Sequence, residues 1–512
     1  MKEFWQKATS RLAFLPMARA LVPLVCGILL AQAVTLPYGM AMMAALAATV
    51  AAALLYNHPK GDIFICLMLL VLGFYSAQLN SGKPPYNNSA MTLLEIDDIT
   101  AQHNNKLYAN ALLRSYSLGG EEFSSHVKVR VTAPPESGLE VGDMVYALCS
   151  LRPYESDTTA SRFEKYMLQK GFYASTNLEN WQIISTTHRT PLRRWANERL
   201  TRLKLDGTVK PIVDAMTLGE RRALTKEQRQ SYTRSGNAHL LAISGMHVGY
   251  LFVILNILMA WCACLHRGNI VRCMAVVAGV WYYAAMTGFS PSVMRAATMF
   301  SLMQIGLSLP YYTKPQNILA TTAVVMLMWD ASMLFDAGFL LSVISVAAIV
   351  EWTMPIYRTL RSAIPAPSSR LRHISTLHFT QIALRRALGS AVMSAIVGAV
   401  ATIATAPLVA YMFGTVSFWG VVTGPVMVLL CGVGSAAALL WIILPIGALA
   451  TPTAWLINSC VTAMNHIADW CAEQGILTFE VHIDLWLCLL CYALMTALTI
   501  IKWGTGGKRE RV

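Results

Sequence analysis

The stretch HLLAISGMHVGY, residues 239–250, opens an apolar segment that continues to Leu265. Two histidines, one serine and two glycines stand in it where an ordinary membrane span would carry leucine and valine. Lipid penalises polar side chains, so such groups usually face the interior of a helix bundle or an aqueous path. The pattern predicts a membrane helix with a polar break, which is typical of helices that line a substrate path.

The composition is that of a multi-pass α-helical membrane protein. Of the 512 residues, 55% are hydrophobic and 13% are charged, a balance that excludes an ordinary soluble protein. Three apolar runs precede residue 80 and about nine follow residue 235, and most of them can cross ~30 Å of hydrocarbon as a helix. We predict about twelve spans, over residues 20–36, 38–56, 63–79, 239–265, 271–288, 292–309, 318–329, 332–350, 391–413, 418–444, 448–471 and 485–501.

A β domain is inserted after the third apolar run. Period-2 runs at 92–99, 106–116, 126–132, 143–151 and 172–184 are separated by turn residues, which predicts five short strands. Such a set forms a small β-barrel or sandwich, and an OB-like barrel is one that often binds nucleic acid. However, residues 81–188 contain nine Lys and Arg against twelve Asp and Glu. Aromatic residues of this domain either stack on bases or pack in its core.

The charge balance inverts after the β domain. Residues 189–234 contain twelve Lys and Arg against five Asp and Glu. Within this basic segment, PLRRWANERLTRLKL at 191–205 has the spacing of an amphipathic helix on a membrane surface. The alternative is a basic collar that binds a polyanion at the mouth of a pore. We divide the chain into 1–80, with three spans, the β domain 81–188, the basic segment 189–235, the channel domain 236–503 and a basic tail 504–512.

The distribution of charge predicts the orientation in the membrane. Positive residues concentrate in cytoplasmic loops of membrane proteins, and the net charge of +13 follows that rule. It places both termini in the cytoplasm together with the connections 266–272, 310–317 and 351–388. The β domain and the acidic connection 472–484 are then extracytoplasmic.

Arg295 and Asp336 each stand inside an apolar run. Each is costly in lipid unless it is paired or hydrated, so we expect either an ion pair between them or a place beside a pore. His239 and His247 are eight residues apart and do not have metal-ligand spacing. The sequence has neither a P-loop nor the G-x-S-x-G elbow of hydrolases. We expect no metal, no cofactor and no catalytic residue.

HLLAISGMHV (239–248) resembles the signature of the ComEC competence family, the bacterial inner-membrane channel for DNA uptake. GFSPSVMRAATM (288–299), LFDAGFLLSVISV (334–346), ATAPLVAYMFGTVSFWG (404–420) and FEKYMLQKGFYAS (163–175) extend the resemblance. It implies that single-stranded DNA passes inward from a periplasmic DNA receptor, and that a cytoplasmic helicase-like ATPase pulls it. Many members also carry a metallo-β-lactamase-like domain whose motif this sequence lacks, so we expect a separate nuclease.

The residues that match the family's polar motifs are expected to line or gate the channel. They are His239, Ser244, Gly245, His247, Arg295 and Asp336. For the DNA entrance the sequence offers the cations of the basic segment: Arg193, Arg194, Arg199, Arg202, Lys204, Arg221, Arg222 and Arg234. A small-solute transporter with broken helices is the alternative function, and a membrane-embedded hydrolase is a further one.

Overall fold

The computed structural model describes most of the chain. It covers residues 15–34, 38–54, 61–79, 89–103, 106–118, 121–139, 142–154, 161–186, 191–221, 223–264, 267–308, 314–363, 376–474 and 476–505. The predicted cytoplasmic N-terminal residues 1–14, Arg222 and residues 506–512 of the tail lie outside the described residues. The chain divides into two compact units. One unit comprises Arg19–Arg194 and Ala323–Phe339, and the other comprises Met1–Ala18, Trp195–Thr322 and Leu340–Val512.

Three apolar helices begin the first unit, α1 (Pro16–Ala33), α2 (Tyr38–Leu54) and α3 (Gly61–Leu79). Helices α1 and α3 approach closely because each carries a glycine at the crossing. A Cβ on Gly27 would lie 1.9 Å from the carbonyl oxygen of Leu70, and a Cβ on Gly73 would lie 2.3 Å from that of Leu24. Small residues at a helix crossing allow backbones to pack in lipid, where the hydrophobic effect does not hold helices together.

The β domain is one mixed sheet of seven strands. They are β1 (Ser89–His103), β2 (Lys106–Leu118), β3 (Glu121–Ala133), β4 (Asp143–Ser150), β5 (Arg152–Pro153), β6 (Phe172–Asn177) and β7 (Trp181–Thr186), in the order β5-β6-β3-β2-β1-β4-β7. Strand β6 pairs with β3 in parallel, and helix α4 (Arg162–Gln169) precedes it. The sequence predicted β6 and β7 as one run, but a bend at 179–180 divides it.

Strands β4 and β5 bring the two ends of the β1–β2–β3 meander towards each other. Strand β4 pairs with β1, and only the buried Leu151 separates it from β5, which pairs with β6. The inward-facing residues alternate along β4 with exposed ones, as period-2 strands require. A small β domain is confirmed as a mixed sheet, and the OB-like barrel stays a prediction.

The remaining helices lie in the predicted basic segment and in the predicted channel domain. They are α5 (Pro191–Thr201), α6 (Lys210–Leu218), α7 (Lys226–Arg234), α8 (Gly245–Leu258), α9 (Gly268–Met286), α10 (Pro291–Ser308), α11 (Pro315–Trp329), α12 (Ala337–Ala363), α13 (Thr376–Phe413), α14 (Trp419–Ile443), α15 (Ala450–Gln474) and α16 (Leu485–Thr505). Two short strands, β8 (Thr415–Ser417) and β9 (Thr478–Glu480), pair in antiparallel fashion.

Six helices of the described chain are long and apolar enough to cross a membrane: Pro16–Ala33, Gly268–Met286, Ala337–Leu360, Val392–Phe413, Trp419–Ile443 and Leu485–Lys502. Three shorter apolar helices, Gly39–Leu54, Asp62–Gln78 and Gly245–Leu258, add to them. The protein is therefore a membrane protein that is mostly helical, while the total of about twelve spans stays a prediction.

Candidate functional site

Helix α8 starts at the polar break that the sequence indicated. The predicted run 239–265 is divided into a 3-10 turn, Ala238–Leu241, an extended Ser244, and then α8. Ser244 Oγ lies 3.0 Å from His247 Nδ1, and the backbone N–H of Ser244 donates to the same nitrogen at 3.1 Å. The imidazole of His247 therefore closes the first turn of the helix in the way that a capping-box residue does.

The second ring nitrogen of His247 joins α8 to α14. Its Nε2 lies 3.2 Å from Cys431 Sγ, and both side chains are buried. Because Nδ1 accepts the N–H of Ser244, the proton of a neutral imidazole is on Nε2, which then donates to the sulfur. With this tautomer, Nε2 has no lone pair for a metal. Among the described residues, no group of three His, Cys, Asp or Glu is placed to hold a metal ion.

We expect substitutions of His247 to separate its two contacts. In His247→Asn the amide oxygen can still accept from Ser244, whereas in His247→Gln the longer amide can still donate to Cys431. Each should cost about 1 kcal/mol, as the loss of a helix cap or of one hydrogen bond does. His247→Ala loses both contacts and leaves a cavity, so it should cost about 2–4 kcal/mol. Thermal unfolding of the purified chain in detergent measures whether His247→Ala loses more stability than the Asn and Gln variants.

A different result would assign His247 a chemical role. If the Asn and Gln variants unfold at the wild-type temperature but lose activity, the cap interpretation is wrong and the imidazole acts on a substrate.

Helix α6 ends inside the protein beside the start of α8. Its residues from Ile212 to Leu218 are all buried, and the next residue, Gly219, has φ +75° and faces Ile243. The carbonyl of Thr217 accepts from the hydroxyl of the buried Tyr283 at 3.1 Å. Helix α6 thus ends, and α8 begins, among buried residues, and the carbonyl of Thr217 and the N–H of Ser244 are bonded there to the side chains of Tyr283 and His247.

The segment 234–237 lies against the N-terminal end of α14. The carbonyl of Arg234 accepts from Ser417 Oγ at 2.6 Å and from Thr478 Oγ1 at 2.8 Å, and Asn237 Nδ2 donates to Thr423 Oγ1 at 3.0 Å. Gly236, with φ +71°, packs on the backbone of Gly420. Sequence reasoning missed Asn237, Thr423 and Cys431, since a single Asn, Thr or Cys in an apolar context has no distinguishing pattern.

Helix α7 is fixed on α15 by a buried tyrosine. Tyr232 donates its hydroxyl to Asn465 Oδ1 at 2.9 Å. Burial raises the pKa of Tyr232, so the phenol stays protonated and remains a donor. The basic side chain of Arg234 at the end of α7 is exposed.

Arg199 lies at the other end of α14. Its Nη1 donates to the carbonyl of Ile442 at 2.7 Å, and its guanidinium lies 4.3 Å from the ring centre of Trp195. A cation at the C-terminus of a helix is stabilised by the helix dipole and the last carbonyls. Because α14 has 25 residues, it is ~37 Å long. Arg199 and Arg234 are therefore separated by about the length of a membrane span.

The structure thus does not bring the predicted entrance residues together. Arg202 and Lys204 are exposed next to Arg199 in the chain, and Arg221 is exposed, with its carbonyl accepting from Arg229 at 2.6 Å. Arg193 and Arg194 lie on α5 less than two turns before Arg199.

Asp336 has a partner that the sequence did not indicate. Its Oδ2 lies 2.9 Å from Lys170 Nζ at the end of α4, and its Oδ1 accepts from the N–H of Phe339, which caps α12. Asp330 and Asp336 flank the 3-10 turn Ala331–Phe335, and Asp330 Oδ2 lies 3.5 Å from Lys128 Nζ of β3. The two carboxylates therefore hold this turn beside the β domain. Arg295 is buried, and its pairing with Asp336 stays a prediction.

A double-mutant cycle should show that Asp336 is coupled to Lys170. Asp336→Asn keeps the cap of α12 and removes the charge, and Lys170→Met removes the other charge. Because both side chains are about a quarter exposed, we expect a coupling of up to about 1 kcal/mol in thermal unfolding. A parallel cycle with Arg295→Met is the comparison, and a larger coupling there would contradict the assignment of Lys170 as the main partner.

The last two predicted channel residues differ in their surroundings. His239 lies in the 3-10 turn and is exposed. Gly245 begins α8, and a Cβ added to it would make only an ordinary contact, 3.7 Å from the Cβ of Ala296. Close packing therefore does not require glycine at this position.

Comparison with known proteins identifies the family. No solved structure matches the chain. ComE operon protein 3 of Bacillus subtilis (strain 168) is 34% identical over 134 residues, which are 26% of this chain and 16% of that relative. The alignment thus spans less than a fifth of the relative's length. The sequence model of the family described as Competence protein matches residues 216–505, which include the break before α8, His247 and Cys431. This match covers more than half of the chain, and the protein belongs to the Competence protein family.

Proposed function

We propose that this protein is a channel of the bacterial inner membrane that passes single-stranded DNA into the cytoplasm during natural transformation. The observation that carries the proposal is the family match over residues 216–505. The matched region contains the meeting point of α6 and α8, where polar groups of Thr217, Tyr283 and His247 are buried among apolar helices. In this proposal His239, Ser244, Gly245, His247, Arg295 and Asp336 line or gate the path.

The substrate determines what such a path needs. DNA carries a dense row of phosphate charges, which require a hydrated or weakly basic route and an attractive entrance. Exposed cations at the N-terminal end of α14, on and near α7, supply that attraction in our proposal. They include Arg221 and Arg234, both within the region that matches the family.

The proposed transport depends on other proteins. The sequence has no P-loop, so a cytoplasmic helicase-like ATPase would pull the strand. A periplasmic DNA receptor would deliver it to an extracytoplasmic β domain, and a separate nuclease would remove the other strand. Both termini are cytoplasmic in this arrangement. Within the β domain, Tyr116 and Phe123 stack with ring centres 5.3 Å apart, and Phe123 is exposed enough to receive a base.

DNA entry into cells tests the proposed function. In a strain that lacks the chain, fluorescent DNA should still bind at the cell surface but should not reach the cytoplasm, and the wild-type gene should restore entry. Unchanged entry without the chain would contradict the channel. Solute uptake by the purified chain in liposomes, independent of DNA, would favour the transporter. Release of a cleaved product would favour the hydrolase, which the Ser244–His247 contact suggests.

A further inference from the structure

We propose that Arg202 and Lys204, beside the C-terminal end of α14, bind the headgroups of anionic phospholipids. The basic segment 189–235 would then have two functions, lipid binding at this site and attraction of DNA near Arg234, because the two places lie at opposite ends of α14. The lipid-binding site precedes residue 216, where the family match begins, and it does not rest on the proposed function.

The position of this site is fixed by buried contacts. Leu200 is fully buried, and Leu203 is nearly so. Trp441 Nε1 donates to the carbonyl of Arg199 at 3.0 Å, and the N–H of Asp206 donates to Asn458 Oδ1 of α15 at 3.2 Å. The residues between these contacts, including Arg202 and Lys204, are therefore held against the turn between α14 and α15 with their side chains exposed.

That turn is the end of the most apolar candidate span. Trp419–Ile443 contains the window of highest mean hydropathy among the six candidate spans, 2.5, and its 25 residues are enough to cross the hydrocarbon. The proposal therefore places the C-terminal end of α14 near the headgroups. The residues that follow are aliphatic and about half exposed: Ile443, Leu444, Ile446 and Leu449. Trp455, in the second turn of α15, is 69% exposed, and tryptophan concentrates at membrane interfaces.

The exposed aliphatic residues beside Arg202 and Lys204 favour a lipid over DNA as the ligand of these cations. An aliphatic surface offers no hydrogen bond or charge to the phosphates of DNA. Acyl chains, by contrast, pack on such a surface and place their headgroups at the level of the cations. Long Arg and Lys side chains reach from the edge of the hydrocarbon to the headgroups, and anionic headgroups attract them. Glu198 and Asp206 lie in the same stretch, against Arg199, Arg202 and Lys204, so the local charge remains positive.

Binding of phosphatidylglycerol by the full-length chain tests the proposal. The purified protein in neutral detergent is titrated with short-chain phosphatidylglycerol, and the dissociation constant is read from the lipid-dependent rise in unfolding temperature. Arg202→Gln with Lys204→Gln should weaken binding by on the order of tenfold, since each cation near an anionic surface contributes appreciably. Both side chains are exposed, so this variant should unfold at the wild-type temperature without the lipid.

A matched control removes the same charge elsewhere. Lys106→Gln with Arg152→Gln takes two exposed cations from the β domain and should leave phosphatidylglycerol binding unchanged. Equal weakening by both variants would show a response to net charge alone and would overturn the proposal. Unchanged lipid binding in the Arg202 and Lys204 variant would overturn it as well. A loss of affinity for a single-stranded oligonucleotide, with lipid binding kept, would return these residues to the DNA entrance.

Discussion

Gly236→Ala should prevent the segment 234–237 from docking on α14 and should be among the most damaging single-methyl changes in the chain. The backbone of Gly236 has φ +71°, and a Cβ there would lie 2.8 Å from the backbone nitrogen of Gly420 and 3.1 Å from the carbonyl oxygen of Ser417. A left-handed conformation costs a non-glycine residue about 1–3 kcal/mol, and overpacking against rigid backbone adds about 1–3 kcal/mol. The unfolding temperature and the yield of folded protein in detergent measure the effect.

Two further glycine variants make this test specific. In Gly420→Ala the new Cβ would lie 3.0 Å from the carbonyl oxygen of Gly236, so it should be damaging from the other side of the same contact. In Gly398→Ala, on α13, the Cβ would have one heavy atom within 4 Å, the carbonyl oxygen of Gly420 at 4.0 Å, which is an ordinary contact. That variant should be neutral, or stabilised by up to about 1 kcal/mol through helix propensity. A Gly236→Ala protein as stable as Gly398→Ala would refute the docking contact.

The second large effect is expected where α1 crosses α3. Gly27→Ala would place a Cβ 1.9 Å from the carbonyl oxygen of Leu70, and Gly73→Ala would place one 2.3 Å from that of Leu24. No rotamer relieves a contact between Cβ and backbone, so the helices must separate by more than 1 Å and lose packing along the crossing. Hydrogen exchange of the amides in α1 and α3 should become faster in both variants.

Gly39→Ala is the control for the helix crossing. Gly39 lies in the first turn of α2, and a Cβ there would meet nothing within 4 Å. Its exchange pattern should match that of the wild-type protein. If Gly27→Ala also exchanges like wild type, the close approach of α1 and α3 is not a feature of the folded protein.

The sequence predicted the features that depend on neighbours along the chain. The polar break before α8 was visible in HLLAISGMHVGY, because Ser, Gly and His in an apolar run are costly wherever the chain folds. The β domain was visible from alternation and turn residues. The division between β6 and β7 was missed, because the bend at 179–180 interrupts a run that keeps its strand-like composition.

Contacts between distant residues could not be predicted in the same way. Cys431, the partner of His247, is 184 residues away, and it resembles the other cysteines of the apolar runs. The sequence indicated that Asp336 needs a partner. It did not indicate Lys170, because Lys170 belongs to the β domain and nothing in its neighbourhood along the chain connects it to a membrane helix. The basic segment was predicted as one surface, either an amphipathic helix on the membrane or a collar at a pore mouth, because charge counting does not show that the chain passes from one end of α14 to the other.

The dependence of residues 234–247 on α14 has a consequence for biosynthesis. When His247 leaves the ribosome, Cys431, whose sulfur accepts the hydrogen bond of the imidazole, has not been made. At ~5–20 residues per second, the 184 residues between them take roughly 10–40 s to translate. During that interval His247 lacks its contact with Cys431, and Gly236 lacks its packing contact with the backbone of Gly420. Helices α6 and α8 therefore lack these partners until the α14–α15 hairpin has been synthesised. Slowed synthesis between residues 250 and 430 should increase degradation of the nascent protein.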